Sequence, residues 1–284
     1  MIEKSSPAKI NLFLKVLGKR PDGYHELATL MQKIDLSDRI SFLAGGKGIQ
    51  VECPDSDLPG GEANIAFKAA RALFSYVSDD PGIRILIKKS IPVAAGLGGG
   101  SSNAATVLST LNEIFGYRLS RDELLGIGEK IGADVPFFLG DSAAWALGKG
   151  ERLVEAVNFP SLWFVLVNPR FEVSTKMVYE GLKMDSKIQL TNNALQFNIP
   201  KFFSLQELIY GLRNDLEQVT LKLHPVLADL KKSLLHHGAL GSLMSGSGPT
   251  VFGIFREKQD AMQAAEELGR KGPWLVFAAH SLNN

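Results

Sequence analysis

One cysteine, Cys53, is all the chain has in 284 residues. No intramolecular disulfide can form. No base or cation stands near enough in sequence to make this thiol reactive, so it reads as a small, partly buried residue. The five histidines are not at metal-ligand spacing with cysteine or carboxylate, and the ligands of any metal stay unassigned. His236 and His237 precede Gly238 and read as the last turn of a helix, where cations are favoured. Excess charge is missing too: 31 Lys and Arg against 30 Asp and Glu leave a net +1, which argues against a nucleic-acid coat or a basic membrane face. No apolar run is long enough to span a bilayer. The early INLFL, between Lys9 and Lys15, is too short for the core of a signal peptide, and no small-residue cleavage site follows. Lipidation motifs and low-complexity tracts are absent. The expectation is a cytoplasmic protein without nucleic-acid or membrane partners, its oligomeric state left open.

What remains is ordinary globular material, 45% hydrophobic, 21% charged and 8% aromatic, enough for one large domain or two modest ones, each with a real core. The opening is β-rich. AKINLFLKVLGKR alternates in part and reads as a strand, Pro21, Asp22 and Gly23 form a turn, and KIDLSDRISFLAG and IQVEC continue the pattern. Asn64 opens the helix NIAFKAARALFSYV, IRILIKK is a strand, and a further helix starts at Ser101 or Ser102 and runs through TVLSTLNEIF. Ser120 and Glu123 form a capping box for a helix ending at Ile131, after which ADVPFF crosses a loop. SAAWALGKGERLV is a hairpin and SLWFVLVNP a buried strand. Beyond them, helices begin at Ser174, at Ser204 with Glu207 as a second capping box, and at Pro225 as first helical residue. ALGSLMSG, VFGIFR and WLVFAAH are strands, with the helix QDAMQAAEELGRK between the last two. A lobe boundary is set near Val157, giving segments 1–156 and 157–284.

The chemistry-bearing feature is PVAAGLGGGSSNAA, Pro92 to Ala105. A strand leads into Gly96, Leu97, Gly98, Gly99 and Gly100, then Ser101 and Ser102, then a helix. Glycine lets backbone approach a ligand closely. A helix start offers unpaired N–H groups and a positive dipole end, and the combination suits a di- or triphosphate. No Gly-Lys-Ser/Thr closes the loop, so it is not a Walker A element. Ser101 stands where GxGxxG needs its third glycine, which argues against a dinucleotide oxidoreductase. Ser245-Gly246-Ser247-Gly248-Pro249-Thr250, between two strands, reads either as a decorated hairpin or as backbone lining a ligand site. Asp134 in GADVPFF is either a turn residue or a base accepting a proton from an attacking hydroxyl. Lys9 is either a solvated surface group or a cation stabilising phosphoryl charge.

Taken together these strings resemble the GHMP kinase family. PAKINLFLKVLGKRPDGYHEL, GLGGGSSNAA, GADVPFF and SGSGPTVF carry the resemblance, which spans nearly the whole chain. It implies an α+β, two-lobe fold with the active cleft between the lobes: the N-terminal lobe binds ATP, and the C-terminal lobe contributes to the substrate and nucleotide cleft. It further implies ATP-dependent phosphorylation, with Mg²⁺, of the 2-hydroxyl of a cytidine-diphosphate-linked methylerythritol in the non-mevalonate isoprenoid route. Asp134 then matches the catalytic aspartate and Lys9 its partner. Asn11, Tyr24 and His25 match substrate-side positions, Tyr179 an aromatic facing cytosine, and Gly246 and Ser247 the late substrate loop. Asn64 and Lys88 fall near the nucleotide base, beside the loop from Pro92 to Ser102. Asn214-Asp215-Leu216-Glu217 matches a family string read as structural. A GHMP kinase for another small alcohol and a nucleotide-binding module without turnover remain as alternatives. Gly-Tyr-His and the long glycine loop argue against the first, and retention of Lys9 and Asp134 against the second.

Overall fold

A computed structural model describes residues 1–56, 58–79, 81–156, 160–183, 197–200 and 204–283; the lobe boundary expected at 157 lies outside them. The chain divides into two compact units, one of residues 1–8, 36–93 and 98–141, the other of residues 9–35, 94–97 and 142–284. Two long strands, β1 (Ile2–Lys19) and β2 (His25–Ala44), each contribute residues to both units.

In the first unit β3 (Ile49–Glu52) runs parallel to β4 (Ile83–Lys88), and β4 runs antiparallel to the second half of β2. β4 alternates strictly: Ile83, Ile85 and Ile87 are buried while Arg84, Leu86 and Lys88 are exposed, as a strand with one covered face requires. The cover is helical. α1 (Ile65–Val77) buries Ala66, Ala69, Ala70, Leu73 and Phe74, one face at helical spacing. α2 (Gly99–Ile114) packs on it and buries Ala104, Ala105, Val107, Leu108 and Leu111; the alanines let the two helices approach closely. α3 (Arg121–Glu129) opens with the expected reciprocal box, Ser120 and Glu123 each capping the other's backbone N–H.

Two expectations need correction here. α2 begins at Gly99, two or three residues before the serines, because Gly98 takes the left-handed conformation and turns the chain directly into the helix. The stretch ADVPFF is not a loop: Val135–Leu139 is a short helix, α4, with Pro136 in its first turn, where a missing N–H costs nothing.

The second unit contains β5 (Ala143–Gly148) and β6 (Arg152–Glu155), which form the expected hairpin, β5 pairing also with β2 at residues 27–32. A separate sheet has β7 (Trp163–Asn168) near its middle. After α5 (Thr175–Glu180) and α6 (Leu205–Gly211), the two-residue strand β8 (Arg213–Asn214) joins β1 in parallel. α7 (Glu217–Leu223) and α8 (Val226–His236) follow. Pro225 is the residue before α8 rather than its first helical residue. β9 (Gly241–Met244), β10 (Val251–Phe255), α9 (Lys258–Gly269) and β11 (Leu275–His280) complete the unit. The sheet order is β11-β7-β10-β9, all antiparallel. β10 is buried at every position, and Leu227, Leu230 and Leu234 of α8 with Ala261, Ala264 and Leu268 of α9 join its core.

Candidate active site

The glycine stretch crosses from one unit to the other at residues 97 and 98. Ala94, Gly96 and Gly98 have φ of +51°, +76° and +69°. Left-handed residues alternating with others turn successive N–H groups toward one side, an arrangement that holds anions. Left-handed geometry at Ala94 is unfavourable for a residue with a Cβ. At Gly96 a Cβ would also lie 2.2 Å from the Ser245 carbonyl oxygen, so two demands select glycine. Gly98 has no side chain with which to cap α2. The first helical bond runs from the Ser102 N–H to the Gly98 carbonyl, 2.9 Å, and the amides of the first turn are the ones a helix leaves without an internal acceptor.

Behind this turn, within the first unit, lies a polar network that sequence reading did not find. Asp38 is 1% exposed. Its Oδ1 accepts from the N–H groups of Ser90 and Ile91, at 2.8 and 2.9 Å. Its Oδ2 accepts from the Lys89 ammonium and, at 3.0 Å, from Asn103 Nδ2. Asn103 Nδ2 also donates to Ser6 Oγ (2.9 Å), and Ser6 Oγ donates to Ser102 Oγ (2.8 Å). One carboxylate therefore ties the backbone leading into the glycine stretch to the first turn of α2. The sequence signal was slight, an aspartate and a lysine at positions that the flanking apolar residues mark as strand.

Asp134 stands at the N-cap of α4 without a side-chain capping bond to it. A Cβ on Gly132 would meet Ser101 Oγ at 3.9 Å, so the Gly132–Asp134 turn lies against the start of α2. A Cβ on Gly100 would meet Ile65 at 3.6 Å, which sets the start of α1 beside the same turn. Asn64 caps α1: its Oδ1 accepts from Ala66 N–H, 2.9 Å, and its Nδ2 donates to the Pro59 carbonyl, 2.9 Å. Its side chain serves the fold. Lys88 is exposed at the end of β4, while its neighbour Lys89 is the one held against the glycine stretch.

The second unit gathers Lys9, Asn11, Gly246 and Ser247. Lys9 is 4% exposed and Asn11 2%. Lys9 Nζ donates to Asn11 Oδ1 at 2.7 Å, and the Lys9 N–H donates to the Leu97 carbonyl at 2.9 Å. Ser245 Oγ donates to the Gly96 carbonyl, 2.9 Å, and accepts from the Asn11 N–H, 3.3 Å. Residues 94–97 are thus held against β1 and the late Gly/Ser loop. Asn214 Nδ2 donates to the carbonyls of Met244 and Gly246, 2.7 and 2.8 Å. Asp215 accepts from Val16 N–H and Glu217 from Met244 N–H. These bonds give the Asn214–Glu217 string the bracing role expected of it. Ser247 Oγ pairs with Thr175 Oγ1 at 2.8 Å.

Also in this unit, the His25 and Tyr179 rings stack with centroids 4.9 Å apart and planes 27° from parallel. Burial pushes the His25 imidazole below its usual pKa, and Lys19 adds to the shift. Tyr24 is exposed, with Lys149 Nζ 5.4 Å from its ring centre. The turn between β1 and β2 is fixed by the Arg20 N–H to Tyr24 carbonyl bond (2.8 Å) and by Arg20 donating to the buried Glu26. Among the described residues no group of three or more His, Cys, Asp or Glu side chains is placed to hold a metal ion, and no helix is long and apolar enough to cross a membrane.

Known proteins resemble this chain in sequence and architecture. Residues 64–142 match the family "GHMP kinases N terminal domain", and residues 199–273 match "GHMP kinases C terminal". The chain is 50% identical over 283 residues, covering 100% of both chains, to a 4-diphosphocytidyl-2-C-methyl-D-erythritol kinase of Syntrophus aciditrophicus (strain SB). It is 50% identical over 279 residues, 98% of each chain, to the protein of that name from Geobacter sulfurreducens. A crystal structure of 4-(cytidine 5'-diphospho)-2C-methyl-D-erythritol kinase superposes with a TM-score of 0.79 at 33% identity, covering 99% of this chain and 100% of the other. A mevalonate kinase at 16% identity, TM-score 0.73 and full coverage of both chains shares the fold.

Proposed function

The chain belongs to the GHMP kinases, and from that premise we propose that it transfers the γ-phosphoryl group of ATP to the 2-hydroxyl of 4-diphosphocytidyl-2-C-methyl-D-erythritol, a cytoplasmic step toward isoprenoid precursors. The observation that carries this reading is 50% identity to a kinase of that name along the whole of both chains.

The chemistry asks mainly for positioning and charge stabilisation. The left-handed turn from Gly96 to Gly98 and the first amides of α2 hold the triphosphate, with Pro92, Gly99, Gly100, Ser101 and Ser102 shaping the rest of its seat. The adenine end lies toward Lys88 and the start of α1 at Asn64. The substrate hydroxyl oxygen attacks the γ-phosphorus while the bond to the β–γ bridging oxygen breaks, and ADP leaves. The hydroxyl proton passes to Asp134, at the N-cap of α4. Lys9 places positive charge against the phosphoryl oxygens. Asn11, Tyr24, His25, Tyr179, Gly246 and Ser247 receive the diphosphocytidyl alcohol, the imidazole and the two phenol rings serving cytosine.

Mg²⁺ enters as the counter-ion of ATP. When bound, the ion would supply positive charge against the phosphate oxygens. The test is ADP release with ATP, Mg²⁺ and each of three alcohols: the diphosphocytidyl compound, homoserine and mevalonate. The reading expects turnover with the first alone. Release with homoserine or mevalonate and not with the first would overturn it.

A further inference from the structure

We propose that Thr29 is a positioning residue for Lys9, acting through the side-chain amide of Asn11. The three residues lie in the second unit, each no more than 4% exposed, and their bonds run in one direction. Lys9 Nζ donates to Asn11 Oδ1 at 2.7 Å, Asn11 Nδ2 donates to Thr29 Oγ1 at 2.8 Å, and Thr29 Oγ1 donates to the Phe13 carbonyl at 2.6 Å. An amide side chain can turn over and exchange its oxygen for its nitrogen. Here both neighbours forbid it. An ammonium has donors only, so Lys9 demands the oxygen. A threonine hydroxyl has one hydrogen, and at Thr29 that hydrogen is spent on the backbone of β1. Only its lone pairs face Asn11, and they demand the NH₂ group.

The orientation of Asn11 is therefore fixed at a backbone carbonyl and delivered at the lysine. Bonds aligned head to tail in a buried chain also strengthen one another. Among the described residues no buried side-chain nitrogen or oxygen lacks a partner. Replacing Thr29 by valine keeps the volume and removes the hydroxyl. The Asn11 NH₂ is then left without its acceptor, and the amide loses the restraint that keeps its oxygen toward Lys9.

This inference rests on the role proposed above for Lys9, so its test has one arm that reads activity and one that does not. In the full chain, Thr29→Val is expected to lower kcat about tenfold or more, the scale of misplacing a catalytic group. KM for ATP should stay close to wild type, KM for the alcohol should rise as Asn11 loosens, and the melting temperature should fall by only about a few degrees, the cost of one buried donor left unpaired, a split that a general loss of structure would not give. Thr29→Ser keeps the hydroxyl and should keep kcat. Thr29→Cys, with a weak sulfur acceptor, should fall between them and serves if the valine variant does not fold. In the second arm, nuclear magnetic resonance follows hydrogen exchange of the Asn11 side-chain amide, slow in wild type and in Thr29→Ser and fast in Thr29→Val. If wild type phosphorylates no alcohol while these exchange rates differ as stated, the kinase reading fails and the anchoring of Asn11 stands. The proposal is overturned by equal exchange in all variants, by unchanged kcat in Thr29→Val, or by Thr29→Ser losing as much kcat as Thr29→Val.

Discussion

A carboxylate at a helix N-cap normally accepts from that helix's own amides, yet Asp134 makes no such bond with α4. The role proposed for it is to accept the proton of the attacking hydroxyl. Asp134→Asn keeps size and hydrogen-bonding capacity while removing the base. Turnover should drop about 10²- to 10⁴-fold, with the ATP dissociation constant by calorimetry within about twofold of wild type. Near-native turnover would disqualify Asp134 as the base. At His25 the shift has a sign that can be followed through. Burial lowers the folded-state pKa, so between the folded and unfolded values the unfolded chain binds more protons, and stability rises with pH there. This contribution is complete above the unfolded value near 6.5 and is lost as pH falls below it toward the folded value. Melting temperature from pH 7.5 to 5.5 should therefore fall further for wild type than for His25→Gln, and equal falls would contradict the burial effect. Lys9 and Asp134 were marked as candidates in the sequence because each sits in a string that carries the family resemblance. Thr29 and Asp38 were not, since their importance comes from partners such as Phe13, 16 residues away, and Asn103, 65 residues away, and no local periodicity marks such pairs.

At the scale of elements, the glycine stretch is held by hydrogen bonds before, within and after it. Asp38 holds the backbone before it and the first turn of α2 after it, and Ser245 holds Gly96. Asp38→Ala leaves the Lys89 ammonium, 8% exposed, without its carboxylate. Breaking a buried pair from one side costs about 3–5 kcal/mol, a large share of the roughly 5–15 kcal/mol that stabilises a domain. Urea unfolding should show that loss. Asp38→Leu combined with Lys89→Met should recover only part of it, because the Ser90 and Ile91 amides still lack their acceptor; full recovery would mean that those backbone bonds contribute nothing. Gly96→Ala attacks the other tie. Its Cβ meets the Ser245 carbonyl at 2.2 Å in a left-handed backbone, so KM for ATP should rise and stability fall by about 2 kcal/mol or more. Elements with clean period, such as β4 and α1, were legible from sequence, as was the Ser120 capping box. The start of α2 was misplaced because serines are common caps while a left-handed glycine can deliver the same turn. α4 was missed because five residues with an internal proline give too little pattern.

At the scale of the whole chain, net charge separates this protein from those that gather polyanions. Thirty-one basic side chains against 30 acidic ones leave +1, too little for long-range steering of ATP or of a nucleotide-linked alcohol. On the function proposed above, attraction then comes from short-range donors: amides at the start of α2, the lysine at position 9, and the turn at Gly96 to Gly98. Groups within bonding distance are screened far less than charges separated by more than the Debye length, about 10 Å at 0.1 M salt. Raising sodium chloride from 50 to 200 mM should therefore lower kcat/KM for either substrate by no more than about threefold, if local contacts dominate. A nucleic-acid-binding protein making 6–10 phosphate contacts would lose about 10³–10⁵ in affinity over the same range. A fall of a hundredfold in kcat/KM would mean that diffuse positive potential, invisible in the charge count, draws the substrates in. It would also shift attention from the loop amides to a basic surface.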